Sequence, residues 1–139
     1  MELAKHISEN LRTQYPNDSF VACKSDNAAF GHGLPTSIIC DMHGATVSRL
    51  PFSSAKAIDD SALKSLLHRV MLESKSMSTS VDRAEHISDQ ICKMLPGHYN
   101  TVFVTPVSSN DRPVVYGPHK GLAYFWEPEF GEHVTIVLH

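Results

Sequence analysis

Three residues between positions 32 and 43 have the type and spacing to do chemistry: His32, Cys40 and His43. A cysteine with a histidine nearby is the raw material of a nucleophile–base pair, and both residue types ligate zinc. A structural zinc site takes four ligands, usually in paired short spacings. His32 with Cys40 and Cys40 with His43 are near pairs, and no second pair matches them. The other histidines, His6, His68, His86, His98, His119, His133 and His139, are scattered, and His98 and His119, like His32 and His43, stand beside glycine or proline. They read as exposed loop residues. Cys40 falls in a predicted strand with no helix N-terminus after it to lower its pKa. Cys92 lies beside the apolar stripe of a predicted helix, and both it and Cys40 are expected to be buried as small hydrophobes. Asp59-Asp60 reads more simply as the start of a helix than as a general acid/base pair. No GxGxxG, P-loop or HExxH motif is present, and Gly31-His32-Gly33 is too short to cradle a phosphate. The expectation is therefore no catalytic residue, no metal and no cofactor. The alternative is a small α+β enzyme or ligand-binding domain using Cys40, His43 and His32.

A different chemistry is offered by Tyr124-Phe125-Trp126. Successive strand residues alternate faces, so Phe125 points opposite to Tyr124 and Trp126. One face is expected to pack on a helix, and the other to meet a partner. Clustered exposed aromatics mark interaction surfaces. Tyr124, Phe125 and Trp126, with Val115 and Tyr116, are the candidate partner-binding residues.

The bulk composition narrows the classes. The chain has 139 residues, 42 % hydrophobic and 19 % charged, with net charge −3. That suits one compact domain, or two small ones sharing a core. No basic cluster provides a footprint for nucleic acid. No apolar run approaches the roughly 18 residues of a membrane span, and the amphipathic N-terminus does not read as a signal peptide. Three cysteines without CxxC spacing are no disulfide framework and read as reduced, which implies an intracellular, cytoplasmic setting.

The elements that must position these residues follow from periodicity. Residues 2–15 predict a helix with Leu3, Ala4, Ile7 and Leu11 on one face, ended by Pro16. Residues 18–24 predict a strand, followed by a Gly/Asn loop around Asn27 and Gly31-His32-Gly33. Residues 36–42 and 45–52 predict a hairpin turning at Met42-His43-Gly44. A helix is expected over 60–75, with the stripe Leu63, Leu66, Leu67, Val70 and Met71 and a cap at Asp59 or Asp60. A Ser-rich break at 74–80 precedes a helix over 82–95, whose start is assigned to Asp82 and Glu85 and whose stripe is Ala84, Ile87, Ile91, Met94 and Leu95. Pro96-Gly97 stops it. Strands follow at 100–106, 113–116, 121–127 and 133–138, with a turn at Ser108-Ser109-Asn110-Asp111. Helices set beside antiparallel strands define an α+β fold.

The chain also repeats itself. Ile7, Leu11 and Tyr15 are followed by a short β-rich run, and so are Ile91, Leu95 and Tyr99. His-Ile-Ser followed by an acid occurs at 6–9 and again at 86–89. Each copy continues to a turn glycine, 29 residues after Tyr15 at Gly44 and 32 after Tyr99 at Gly131. Residues 1–52 thus form a partial repeat and residues 58–139 a full one.

The full repeat resembles the eight-kilodalton dynein light chain family. Ile91-Cys92-Lys93-Met94-Leu95 followed by Tyr99-Asn100 is similar to that family's helix ending in Ile-Lys-Lys-Glu-Phe and then Tyr-Asn. Tyr124-Phe125-Trp126 stands where the family has an aromatic strand. Phe130-Gly131-Glu132 and Val134-Thr135-Ile136-Val137-Leu138 resemble its Leu-Gly-Gln turn and last apolar strand. Ile7 to Tyr15, Ser37 to Cys40 and Gly44 carry a weaker match in the first copy. Departures are plain. Thr101 to Val104 replaces the family's Trp-His-Cys-Ile-Val, Pro128 interrupts the peptide-binding edge, and the first copy lacks a first helix. The resemblance implies two dynein-light-chain-like halves that exchange a strand, as a homodimer or as an intramolecular pseudo-dimer. It further implies a non-enzymatic adaptor or assembly subunit that binds a peptide segment or another chain by strand addition, without nucleic acid or membrane. Its implied setting is a motor complex, cytoskeletal or ciliary.

Overall fold

The computed structural model describes residues 2–24, 28–32, 37–42, 45–107, 112–127 and 131–139. The elements run α1 (Glu2–Gln14), β1 (Ser19–Lys24), β2 (Ala29–His32), β3 (Ser37–Met42), β4 (Ala45–Leu50), α2 (Asp60–Glu73), a 3-10 turn (Ser74–Ser76), α3 (Ser80–Met94), β5 (Asn100–Pro106), β6 (Val114–Tyr116), β7 (Gly121–Glu127) and β8 (Glu132–Leu138). The fold is α+β, with every strand pairing antiparallel.

Strand alternation builds three apolar layers. Phe20, Ala22 and Val47 face α1, meeting Ile7, Leu11 and Tyr116. Val21, Cys23 and Leu50 face the other way and meet Phe103, Val137, Val115 and Leu122 between the two sheets. Val102, Val104, Ala123, Phe125, Val134, Ile136 and Leu138 face α2 and α3, against Leu63, Leu67, Val70, Met71, Ala84, Ile87 and Ile91. The result is α1, sheet, sheet, then α2 with α3. Strands covered on both faces read as continuous apolar runs, which explains Val102-Phe103-Val104 and Val134 to Leu138.

Sheet order carries the most information about how the halves are joined. One sheet runs β3-β4-β1-β6 and the other β2-β5-β8-β7. Read from its far edge, the second is β7-β8-β5-β2. The first strand after α1 and the first after α3 occupy the same position, as do the later pairs. Each half keeps three strands and sends its second strand to the other sheet: β2 pairs with β5, and β6 pairs with β1. The segments 1–52 and 58–139 are therefore interlocked through both sheets.

β2 corrects the expectation of a loop around Gly31-His32-Gly33, since Gly31 and His32 lie in a strand. Ala29 and Gly31 are poor strand formers, and pairing of Ala29 to His32 with Val104, Phe103, Val102 and Thr101 overrides that local preference. Gly31 is required by proximity: a Cβ there would lie 2.5 Å from the Ala84 carbonyl oxygen of α3. The hairpin β3–β4 forms as expected, with a register shift between Ile38 and Cys40. Its turn residues His43 and Gly44 lie outside the described residues, as do Asn27, Gly33, the turn at 108–111, Pro128 and Phe130.

Helix starts differ slightly from expectation. Asp59 caps α2, accepting from the Ala62 N–H at 3.2 Å. Thr79, not Asp82, caps α3: its hydroxyl accepts from the Asp82 N–H at 3.0 Å, with Asp82 at the third helical position. The start of α3 is tied to β8 by Glu132, whose carboxylate accepts from Ser80 and pairs with Arg83. The end of β4 is held by Asp18, which accepts from Arg49 Nε at 2.8 Å and from the Phe52 N–H at 2.9 Å.

The stripe residues Leu66 and Met94 are exposed, because they lie at the margin of the buried arc. Cys92 is exposed too, correcting its expected burial, and its sulfur accepts from Asn100 Nδ2 at 3.3 Å. Two histidines overturn the expectation of exposed loops. His133 is 5 % exposed and His139 is 1 % exposed. His139 reaches the Asn17 carbonyl at 2.8 Å, joining the end of β8 to the end of α1.

A candidate partner-binding groove

Leu122, Tyr124 and Trp126 project from the face of β7 that looks toward the first sheet, while Ala123 and Phe125 project toward the helices. The first sheet ends in β6, which has only three residues. It covers Leu122 and leaves the far end of β7 open, so Tyr124 is 38 % and Trp126 53 % exposed. Between β6 and the inner face of β7 and β8 runs a groove of about 600 Å³, lined by Arg112, Pro113, Val114, Val115, Leu122, Tyr124 and Thr135. A smaller cleft of about 290 Å³, lined by Phe30, Gly31, Glu85, Ser88 and Asp89, lies between β2 and α3.

Both strands beside the larger groove are sheet edges. Just beyond the start of β5 and the end of β8, Tyr99 and His139 exchange main-chain bonds in both directions. By the antiparallel alternation, Leu138, Ile136 and Val134 then bond to β7 at Gly121, Ala123 and Phe125. The main-chain groups of Leu122, Tyr124 and Trp126 point outward. The Leu122 N–H is taken by Asp60 Oδ1 at 3.2 Å, so α2 closes the edge at that end.

His133 forms the floor beneath the two aromatics. Its ring stacks on Tyr124 at 5.5 Å and on Trp126 at 6.3 Å, each at an interplanar angle of 22°. Its Nδ1 is hydrogen-bonded to the Tyr124 hydroxyl, and its Nε2 lies 2.8 Å from Arg112 Nη2. Burial lowers its pKa, and the adjacent Arg112 charge lowers it further.

The candidate residues named from sequence divide here. Tyr124, Trp126 and Val115 line or flank the groove. Phe125 does not: it is 2 % exposed and packs in the helix-side core, because alternation turns it away. Tyr116 also faces elsewhere, toward Ile7 and Leu11 of α1. Arg112, Val114, Thr135 and His133 were not anticipated. The register of β8 carried a signal for two of them, since His133, Thr135 and Val137 share one face. Of the alternative triad, His32 lies in β2 and Cys40 in β3, which belong to different sheets. Their side chains and all of His43 are outside the described residues. Among the described residues no group of three or more His, Cys, Asp or Glu is placed to hold a metal ion. Among them, too, no helix is long and apolar enough to cross a membrane.

Compared with family models, curated proteins and solved structures, the chain matches none.

The two buried histidines set a pH dependence. Burial is the main cause holding His139 below the ordinary value of 6.5, as it is for His133. A lowered folded pKa means that the unfolded chain binds more protons. Their contribution is complete above pH 6.5 and is lost as pH falls from there through the lowered folded values. The denaturant midpoint is expected to fall between pH 7.5 and pH 5.5. An unchanged midpoint would contradict the burial of both rings.

Proposed function

We propose that this protein is a non-enzymatic adaptor that takes an extended segment of a protein partner into the groove between β6 and β7. The segment adds as a further strand beside β6 and covers Tyr124 and Trp126. The observation that carries this reading is the pairing of an open sheet edge with an uncovered aromatic face at one place. Main-chain pairing supplies affinity that tolerates sequence variation, and aromatic anchors supply local energy. The exchange of β2 and β6 between sheets supports it further, because exchange is what the resemblance to dynein light chains implies for two halves; here both lie on one chain, as a pseudo-dimer. A cytoplasmic motor-complex setting, cytoskeletal or ciliary, belongs to the same proposal and rests on that resemblance alone.

The test is selection of random dodecapeptides on the immobilised protein, followed by affinity measurement on Trp126→Ala. Because Trp126 is 53 % exposed, the variant is expected to keep its circular dichroism spectrum and to lose about 2 kcal/mol or more of binding. Failure to enrich any peptide, or equal binding by a folded Trp126→Ala, would remove the groove as the binding site.

A further inference from the structure

We infer that the partner segment carries one large apolar side chain, of the Phe, Leu, Ile or Met kind, as an anchor set into the groove over Val115, with variable residues on either side of it. This rests on the adaptor reading above and adds the chemistry of the segment.

The inference follows from comparing the two exchanged strands. β2 is an edge of one sheet and β6 an edge of the other. In their pairings, Phe30 lies opposite Phe103 and Val115 lies opposite Val21. Phe103 and Val21 are matched positions. Each faces the layer between the sheets, and its two neighbours, Val102 and Val104 or Phe20 and Ala22, face the helices. Phe30 and Val115 pack into the same layer, so they hold equivalent places in the two halves. At one place the protein supplies an aromatic ring: the Phe30 ring packs on Phe103 with centroids 6.3 Å apart. At the other it supplies only the short Val115 side chain, and there the groove of about 600 Å³ opens.

A strand laid beside β6 alternates as β6 does, and residues directly opposite one another share a face. Of the three residues of β6, Tyr116 faces α1 and Val115 faces the layer between the sheets. The residue of the added strand opposite Val115 therefore turns inward, and its two neighbours turn toward the α1 side. The inward side chain meets Val115, Leu122 and Pro113, with the Tyr124 ring beyond them. An apolar side chain loses water there and leaves no polar group unpaired, whereas a charged or amide side chain of the same length would need partners of its own. The bulk that Phe30 contributes in β2 is thus contributed at β6 by the partner.

The probe is again the set of dodecapeptides enriched on the full chain. Expected is one position dominated by Phe, Leu, Ile or Met, between two positions of mixed composition. Replacing that residue by Ala should weaken binding at least tenfold, and Ala at either neighbour less than threefold. Val115→Phe places a ring on the protein's side of the groove and should keep the circular dichroism spectrum. On it the anchor cannot seat, so the Ala replacement should cost less than threefold; the difference measures the coupling between anchor and groove. The peptide scan decides the matter by itself if Val115→Phe does not fold. Enriched peptides without a large apolar position, an Ala cost spread evenly along the peptide, or an equal anchor cost on a folded Val115→Phe would overturn the inference while leaving the adaptor standing. Enrichment of no peptide at all would overturn the adaptor reading and this inference with it.

Discussion

Leu67→Ala is expected to destabilise the protein by about 2–5 kcal/mol, the usual range for truncating a buried leucine. Leu67 has no exposed surface and lies in the helix-side core with Leu63, Val70 and Met71. That core is bounded by a sheet on one side and by two helices on the other, so collapse into the vacated space is restricted. The internal control is Leu66→Ala, one residue away on the same helix and 43 % exposed. It should shift stability by about 0.5 kcal/mol or less, as surface changes do. Urea midpoints at constant slope measure both. A Leu67→Ala cost below about 0.5 kcal/mol, or equal costs for the two leucines, would mean that α2 presents a different face to the sheet.

That contrast shows how far periodicity reaches. It finds α1, α2 and α3, because apolar residues three and four apart define a stripe whatever the stripe packs against. It does not find the stripe's margins, so Leu66 and Met94 belong to it by spacing and to solvent by position. Strand alternation separates Phe125 from Tyr124 and Trp126 in the same way. Only the tertiary structure decides which of the two faces is covered. The expected burial of Cys92 fails because it too lies outside the buried arc of α3. His133 and His139 look like surface residues from their neighbours; register on β8 and the closing of the chain end onto α1 bury them. Apart from Val115, Tyr124 and Trp126, the groove was hard to read because it is assembled from separate stretches. Arg112, just before β6 of the first sheet, meets His133 on β8 of the second, a contact between the two sheets that no sequence spacing announces.

β2 is where local preference and final structure disagree most, and it yields the second large effect. Gly31→Ala is expected to destabilise by roughly 1–3 kcal/mol or more, as overpacking a tight contact does. The added Cβ would lie 2.5 Å from the carbonyl oxygen and 2.7 Å from the carbonyl carbon of Ala84, and 3.0 Å from the Glu85 nitrogen. These are backbone atoms in the first turns of α3, so no side-chain rotation relieves the contact. Either α3 retreats from the sheet or β2 leaves the edge of β5. In both cases the strand that the N-terminal half contributes to the second sheet is loosened. Gly97→Ala is the matched control, since nothing lies within 4 Å of a Cβ there, and it should stay within about 0.5 kcal/mol of wild type. Amide exchange gives a second measure: main-chain protons of β2 and its neighbours in β5 should lose protection in Gly31→Ala before those of β7. If Gly31→Ala unfolds at the wild-type midpoint with β2 still protected, then β2 does not lie against Ala84. The strand exchange that interlocks the two halves, and that supports the adaptor reading, would then lack its N-terminal arm.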